Sequence, residues 1–387
     1  MKITDIREIA IPLNSPLRNS VYDFSEMTTS VVAVKTDVLR HGRPVVGYAF
    51  NSTGRYACGA QMRARFIPRL LAADPESLLN DRGDNLDPDK ALACMNRREK
   101  PGGHSERSIA IGTIEVALWD AAAKIADEPL HGLLARHYGN EVLRRVPCYV
   151  GGGWYAPDKG LPELQAEIRS RLDQGYTTMK IKVGGAPLAE DLRRIEAAIA
   201  VLGDGSRLAA DANAGFSPER CFAYADALEP YGLRWLEEPT DPADFATLAE
   251  LTGRYRGAIG SAENLYSTQD IHNLVRFGGM RPDRDIIQID VPQSYGIAQF
   301  ARTLAMLESM GWSRASIFPH GGNLMTLAVV AGFGLGGCEA YPGVFGVFAG
   351  FADDSRVEDG ILTLSDRPGI GFEGQNQLYG VMQSIFD

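Results

Sequence analysis

The chain has 387 residues, of which 45% are hydrophobic and 23% charged, and its formal net charge is −10. That balance fits a soluble globular protein large enough to bury an extensive core. An acidic chain without a Lys/Arg stripe is a poor partner for nucleic acid or an anionic membrane, and no apolar run approaches the roughly 18 residues that span a bilayer.

The N-terminal stretch MKITDIREIAIPL alternates like a strand and lacks the apolar core of a signal peptide. Cys58, Cys94, Cys148, Cys221 and Cys338 are odd in number, far apart and form no CxxC pair. They predict reduced thiols and a cytoplasmic protein rather than a disulfide framework.

Residues 1–125 predict a mixed α+β domain. Two β-rich stretches, 29–36 and 45–50, flank the turn-like LRHGRP and predict an antiparallel hairpin. Apolar residues at helical spacing (Ile109, Ile114, Ala117, Leu118, Ala121) predict a long helix over 108–126. From about Val146 the rhythm changes to short apolar strands alternating with amphipathic helices. Strands are predicted at 146–150, 176–183, 207–211, 233–237, 258–263, 286–290, 315–320 and 337–341. Ser217-Pro218 has the form of an N-cap followed by proline at the first helical position, and Ser267-x-x-Asp270 that of a capping box. Eight βα units imply a closed barrel of parallel strands over 126–345, with 346–387 packing back on the N-terminal domain.

Three predicted strands end on a carboxylate, Asp211, Glu237 and Glu263, each 26 residues after the last. The C-terminal ends of barrel strands are where such enzymes keep their catalytic groups. Three carboxylates converging there repel one another unless a divalent cation lies between them, and all-oxygen ligation suits Mg²⁺ or Mn²⁺. No His-rich set of the kind that binds hydrolytic zinc is present. Lys180 and Lys182 share one face of the second strand. Facing inward they would be neighbouring cations, one a possible general base; facing outward they would be solvated, and the flanking Met179, Ile181 and Val183 fit either orientation. His320 and Asp290 end adjacent strands, so the carboxylate is expected to fix the imidazole tautomer and raise its pKa. Asn213 and Glu339 are weaker candidates for contact with a substrate. The glycine runs at 151–153 and 321–322 are read as sharp turns at the barrel mouth rather than phosphate loops.

In order and spacing, KIK at 180–182, DAN at 211–213, WLEEP at 235–239, ENL at 263–265 and the Asp290/His320 pair resemble the mandelate racemase subgroup of the enolase superfamily. TIEVALWDAAAKIADEPLHGLLA resembles the long helix of that family. GDNLDPDK, EKPGGHSERS, GGMRPDRD and GIGFEG resemble its D-tartrate dehydratases in particular. The resemblance implies a modified (β/α)7β barrel of the TIM type with an N-terminal α+β capping domain. It implies Mg²⁺ held by Asp211, Glu237 and Glu263 (not Glu238), Lys182 as the base, Lys180 as a stabilising charge, and His320 with Asp290 as the acid. The implied reaction is dehydration of a hydroxy-diacid or acid sugar such as D-tartrate. Racemisation, or binding without catalysis, are the alternatives. Asn19 and Lys100, in capping-domain loops, are implied contacts to the distal end of the substrate. Thr53, Ala156 and Asn323 depart from the pattern of those dehydratases. The family implies a symmetric homo-oligomer, a dimer or an octamer.

Overall fold

The computed structural model describes residues 1–52 and 54–387; Thr53 lies outside the described residues. The capping domain opens with an antiparallel sheet of β1 (Ile3–Pro12), β2 (Thr28–Arg40) and β3 (Arg43–Phe50), in that order. The hairpin is longer and its turn tighter than the sequence predicts. Arg40 pairs with Arg43, leaving only His41 and Gly42 in the loop, at φ 51° and 74°. Two successive left-handed residues make the type I′ turn that matches strand twist.

The sheet packs on the helix Glu106–Ala126. Contact is backbone-close at Gly47, where a Cβ would stand 2.2 Å from the Ala117 carbonyl oxygen. Small residues at Ala117 and Ala121 permit this approach. The helix is almost wholly buried and ties the molecule together through two acids. Glu115 accepts from the Ile297 and Ala298 N–H groups, each at 2.8 Å, and so caps a barrel helix. Asp120 accepts from Tyr48 N at 2.8 Å in the sheet and from Ile370 N at 2.6 Å in the C-terminal segment.

The barrel strands β4 (Arg145–Gly152), β5 (Met179–Lys182), β6 (Leu208–Asp211), β7 (Leu236–Glu237), β8 (Ile259–Ser261) and β9 (Ile286–Ile287) are parallel and adjacent in sequence order. Ile317 bridges to Ile287, and its carbonyl accepts from Gly336 N at 3.0 Å. β10 (Cys338–Ala340) then pairs with β4 and closes the ring. Helices follow the first seven strand positions, from Leu161–Asp173 to Leu324–Phe333, and none follows β10 directly. The fold is therefore a (β/α)7β barrel with an N-terminal α+β cap. The predicted seventh strand is reduced to the single Ile317 bridge. Its start is a 3-10 turn, Arg314–Ser316, because the Ser313 hydroxyl accepts from Ala315 N and caps it.

Ser217 caps its helix as expected, with Pro218 following. Ser267 also caps, but Asp270 returns its bond to Tyr266 N rather than to Ser267 N. The C-terminal segment first meets the barrel. Its hairpin, β11 (Val357–Glu358) and β12 (Ile361–Thr363), adds antiparallel to β4. Only then does it reach the cap, where Tyr379 meets Tyr48 edge-on at 6.0 Å and Arg7 donates to the Ile385 carbonyl at 3.2 Å. All five cysteines are free thiols, and among the described residues no helix is long and apolar enough to cross a membrane.

Candidate active site

The strand ends carry backbone strain. Asn213 and Ala214 follow β6 at φ 49° and 59°, Glu238 follows β7 at 40°, and Ala262 follows β8 at 102°. Non-glycine residues in the left-handed region cost free energy and cluster where a side chain must be aimed. Glu263 leaves its strand through such a residue. Lys182, Asp211 and Glu237 are level with one another in the ladder, but Glu237 pairs with Gly260, so Glu263 stands above them.

Lys180 and Lys182 both point inward and are buried. Met179, Ile181 and Val183 take the outer side, under the helices. The Lys180 ammonium contacts Glu237, and lies 2.7 Å from Glu339 and 3.4 Å from Asp211. Burial alone would lower its pKa, but Glu237, Glu339, Tyr341 and Asp211 outweigh that and hold it well above the usual lysine value. The lowering expected for a catalytic base is thus absent at Lys180. Lys182 lies 2.5 Å from Asp211 Oδ2 and 4.4 Å over the Trp154 ring.

Asp211 also accepts from the Asn213 backbone at 2.9 Å and its amide at 3.3 Å, leaving Asn213 Oδ1 without a partner. Glu237 is oriented from behind by Trp235 Nε1 at 2.8 Å and Gln288 Nε2 at 2.7 Å. Glu238 turns toward the β8 loop and accepts from Asn264 Nδ2 at 2.6 Å. His320 Nδ1 is 2.7 Å from Asp290, while Nε2 faces Glu263 at 3.6 Å and Glu339 at 4.0 Å. Burial opposes the imidazolium, yet Glu263, Asp290 and Glu339 push the His320 pKa up to about 10.

The three predicted ligands do not close on one point in this arrangement. Among the described residues no group of three His, Cys, Asp or Glu side chains is poised to chelate an ion. The reason is electrostatic: the two ammonium groups take up Asp211 and Glu237 while Glu263 leans toward His320. The charge balance nevertheless fits a divalent cation. Asp211, Glu237, Glu238, Glu263, Asp290 and Glu339 are all buried, six acids against four cationic side chains at the site, Lys180, Lys182, His320 and Arg55. Burial and the neighbouring acids push Glu237 up to about 7 and Glu238 up to about 8. An oxygen-only donor set carrying excess negative charge is what a hard cation such as Mg²⁺ binds.

Above these groups lies a pocket with about 20 Å³ of free space, lined by Lys182, Asn213, Glu263 and His320 from the barrel and by Asn19, Tyr22, Phe24 and Arg55 from the cap. Trp154, Tyr341 and Phe345 complete its walls. Tyr341 fits because Gly151 and Gly322 leave it room: a Cβ at either would come within 2.1 and 2.4 Å of its ring. Asn19, predicted from its loop, is here with an unpartnered amide nitrogen. Lys100 is not. It is exposed and lines a separate, broader cleft beside His104, Arg107 and Tyr266. Glu339 sits beneath the pocket on Lys180 rather than in its wall. Of the departures from pattern, Asn323 caps the helix Leu324–Phe333 and Ala156 is outside the lining. Arg55 and Gln293 were not foreseen; they come from loops without periodicity, and no spacing signal marks them.

Comparison with known proteins agrees with this architecture. The family model described as enolase C-terminal domain-like matches residues 163–378, more than half of the chain. L-talarate/galactarate dehydratase of Salmonella typhimurium is 30% identical over 372 residues, 92% of this chain and 85% of that protein. A 3,6-anhydro-alpha-L-galactonate cycloisomerase of Streptomyces coelicolor is 33% identical over 70% of each chain. Arabinonate dehydratase of Saccharolobus solfataricus is 29% identical over 69% of this chain and 70% of that one. A racemase from Streptomyces coelicolor, solved with bound magnesium, superposes with a TM-score of 0.78 at 27% identity, covering 97% of this chain and 99% of that one. A (β/α)7β barrel with acids and bases on successive strand ends, matched over most of its length by such relatives, places the chain in the enolase superfamily, among mandelate racemase-like proteins.

Proposed function

We propose that the protein is a magnesium-dependent dehydratase of a hydroxy acid of the acid-sugar class, with D-tartrate, converted to oxaloacetate, as the candidate substrate that the resemblance in its sequence motifs suggests. One observation carries the reading: Lys182, on β5, and His320, in the loop after the Ile317 bridge, line a single pocket, with Asp211 and Glu263 beside them. Magnesium held by Asp211, Glu237 and Glu263 would supply the positive charge that binds a substrate carboxylate and acidifies the neighbouring C–H.

The chain's own groups do the rest. Lys182 takes the proton from the carbon beside the carboxylate. The fixed ammonium of Lys180, buried beneath the pocket among Glu237, Glu339 and Asp211, adds a preorganised positive charge near the carboxylate oxygens on which charge develops. His320, in its imidazolium form, gives its proton to the β-hydroxyl, which leaves as water when the C–O bond breaks. Asp290 holds the ring for that transfer. The enol left behind tautomerises to a keto acid. Trp154, Tyr22, Phe24 and Phe345 exclude bulk water. The dehydratase relatives support elimination over racemisation. Asn19, with its free amide, is suited to the distal end of the substrate.

The test is a panel of tartrate isomers and longer aldonates and aldarates, incubated with the Mg²⁺-loaded protein and scored for keto acid with semicarbazide. D-Tartrate should give the highest kcat/KM. Turnover of a six-carbon acid sugar alone would discard tartrate and keep the dehydratase; isomerised substrate without keto acid would replace the dehydratase with a racemase.

A further inference from the structure

Arg55 reaches the catalytic pocket from the capping domain. The two other cations that line the pocket are engaged: Lys182 with Asp211 at 2.5 Å and His320 with Asp290 at 2.7 Å. Arg55 has no carboxylate within 4.0 Å among the described residues. Its Nε donates to Gln293 Oε1 at 2.9 Å and its guanidinium lies 5.6 Å over the Tyr266 ring. These contacts hold the side chain in place without neutralising it. A half-buried guanidinium held in place without a carboxylate in salt-bridge contact, in a pocket whose walls combine aromatic rings with polar side chains, is a preformed anion site.

Its position gives that anion a place on the substrate. Gln293, which Arg55 holds, donates its backbone N–H to Asp290 Oδ1 at 3.2 Å, and Asp290 is the partner of His320. Arg55 is therefore linked through Gln293 to the Asp290–His320 pair, the acid side of the pocket. A substrate with its first carboxylate at Asp211, Glu237 and Glu263 and its departing hydroxyl at His320 extends its next carbon toward Arg55. We propose that Arg55 binds the second carboxylate of a dicarboxylic substrate and selects diacids over aldonates, whose uncharged hydroxymethyl end would leave the guanidinium buried without a counter-charge. This assignment deepens the dehydratase reading and rests on it for the direction of the substrate.

The experiment compares D-tartrate with threonate, the four-carbon acid in which one carboxylate is replaced by a hydroxymethyl group. Wild type, Arg55→Gln and Arg55→Lys are each loaded with Mg²⁺. Turnover is measured alongside Kd, read from quenching of tryptophan fluorescence. Arg55→Gln should weaken D-tartrate roughly 10- to 100-fold, mostly in KM and Kd, and leave threonate within a factor of about three. Arg55→Lys should recover part of the loss. Equal losses for both acids, or no loss for either, would overturn the assignment while wild-type dehydration still stood. Absence of wild-type dehydration would sink the dehydratase reading, and the Kd ratio would still decide Arg55. A wild type that binds neither acid would overturn both.

Discussion

Lys182→Ala is expected to lower keto-acid formation by about 10³- to 10⁴-fold and to abolish exchange of the substrate α-proton with solvent. The side chain stands inside the barrel, buried against Asp211 and the Trp154 ring, and alanine leaves no basic group in its place. The neighbouring lysine is not a substitute, because Lys180 is held as a cation by Glu237, Glu339 and Asp211. Lys180→Ala should therefore reduce turnover without the same total loss of exchange. The check is ¹H NMR of the α-position in D₂O with circular dichroism to confirm folding. A folded Lys182→Ala protein that exchanged the α-proton at the wild-type rate would remove Lys182 from the base role.

His320→Asn separates the two proton transfers. The variant should lose dehydration by about 10²- to 10⁴-fold while Lys182 continues to exchange the α-proton. Asparagine keeps a hydrogen-bonding group toward Asp290 but carries no transferable proton. Asp290 and Glu339, together with Glu263, raise the imidazole pKa against the effect of burial and so favour its protonated form. A general acid must be protonated when the hydroxyl leaves, so the sign of that shift matches the role. Asp290→Asn should give a milder loss, because it leaves the imidazole in place but removes the charge that orients it. Equal loss of exchange and dehydration in His320→Asn would assign the residue to architecture or to a shared function.

These groups differ in how far the sequence discloses them. Asp211, Glu237 and Glu263 are visible because a barrel repeats its strand ends at a near-constant interval, so a polar residue closing three apolar strands stands out. The orientation of Lys180 and Lys182 is not visible: period two puts them on one face but does not say which, and the apolar flanks serve the outer helices as well as they would serve a core. Only the closed ring decides it, by surrounding both ammonium groups with acids. The seventh strand is over-read because Ser313 captures its first residues in a turn, a local side-chain bond that outcompetes strand propensity. The hairpin turn is over-read in the other direction, since polar residues at Arg40 and Arg43 still pair in register. Arg55 is invisible, because a loop residue from one domain enters the pocket of another only through tertiary contact. Lys100, drawn in by resemblance alone, lies in the neighbouring cleft.

The central claim is magnesium-dependent removal of the α-proton followed by loss of water. It is tested most directly by incubating the purified protein with D-tartrate in D₂O, with Mg²⁺ and again with excess chelator, following α-proton and keto-acid signals together. The account predicts oxaloacetate in the magnesium sample and neither product nor exchange under the chelator. A Mg²⁺-loaded protein that gives neither keto acid nor α-proton exchange with D-tartrate, or with the other acids of the panel run in the same way, would contradict it.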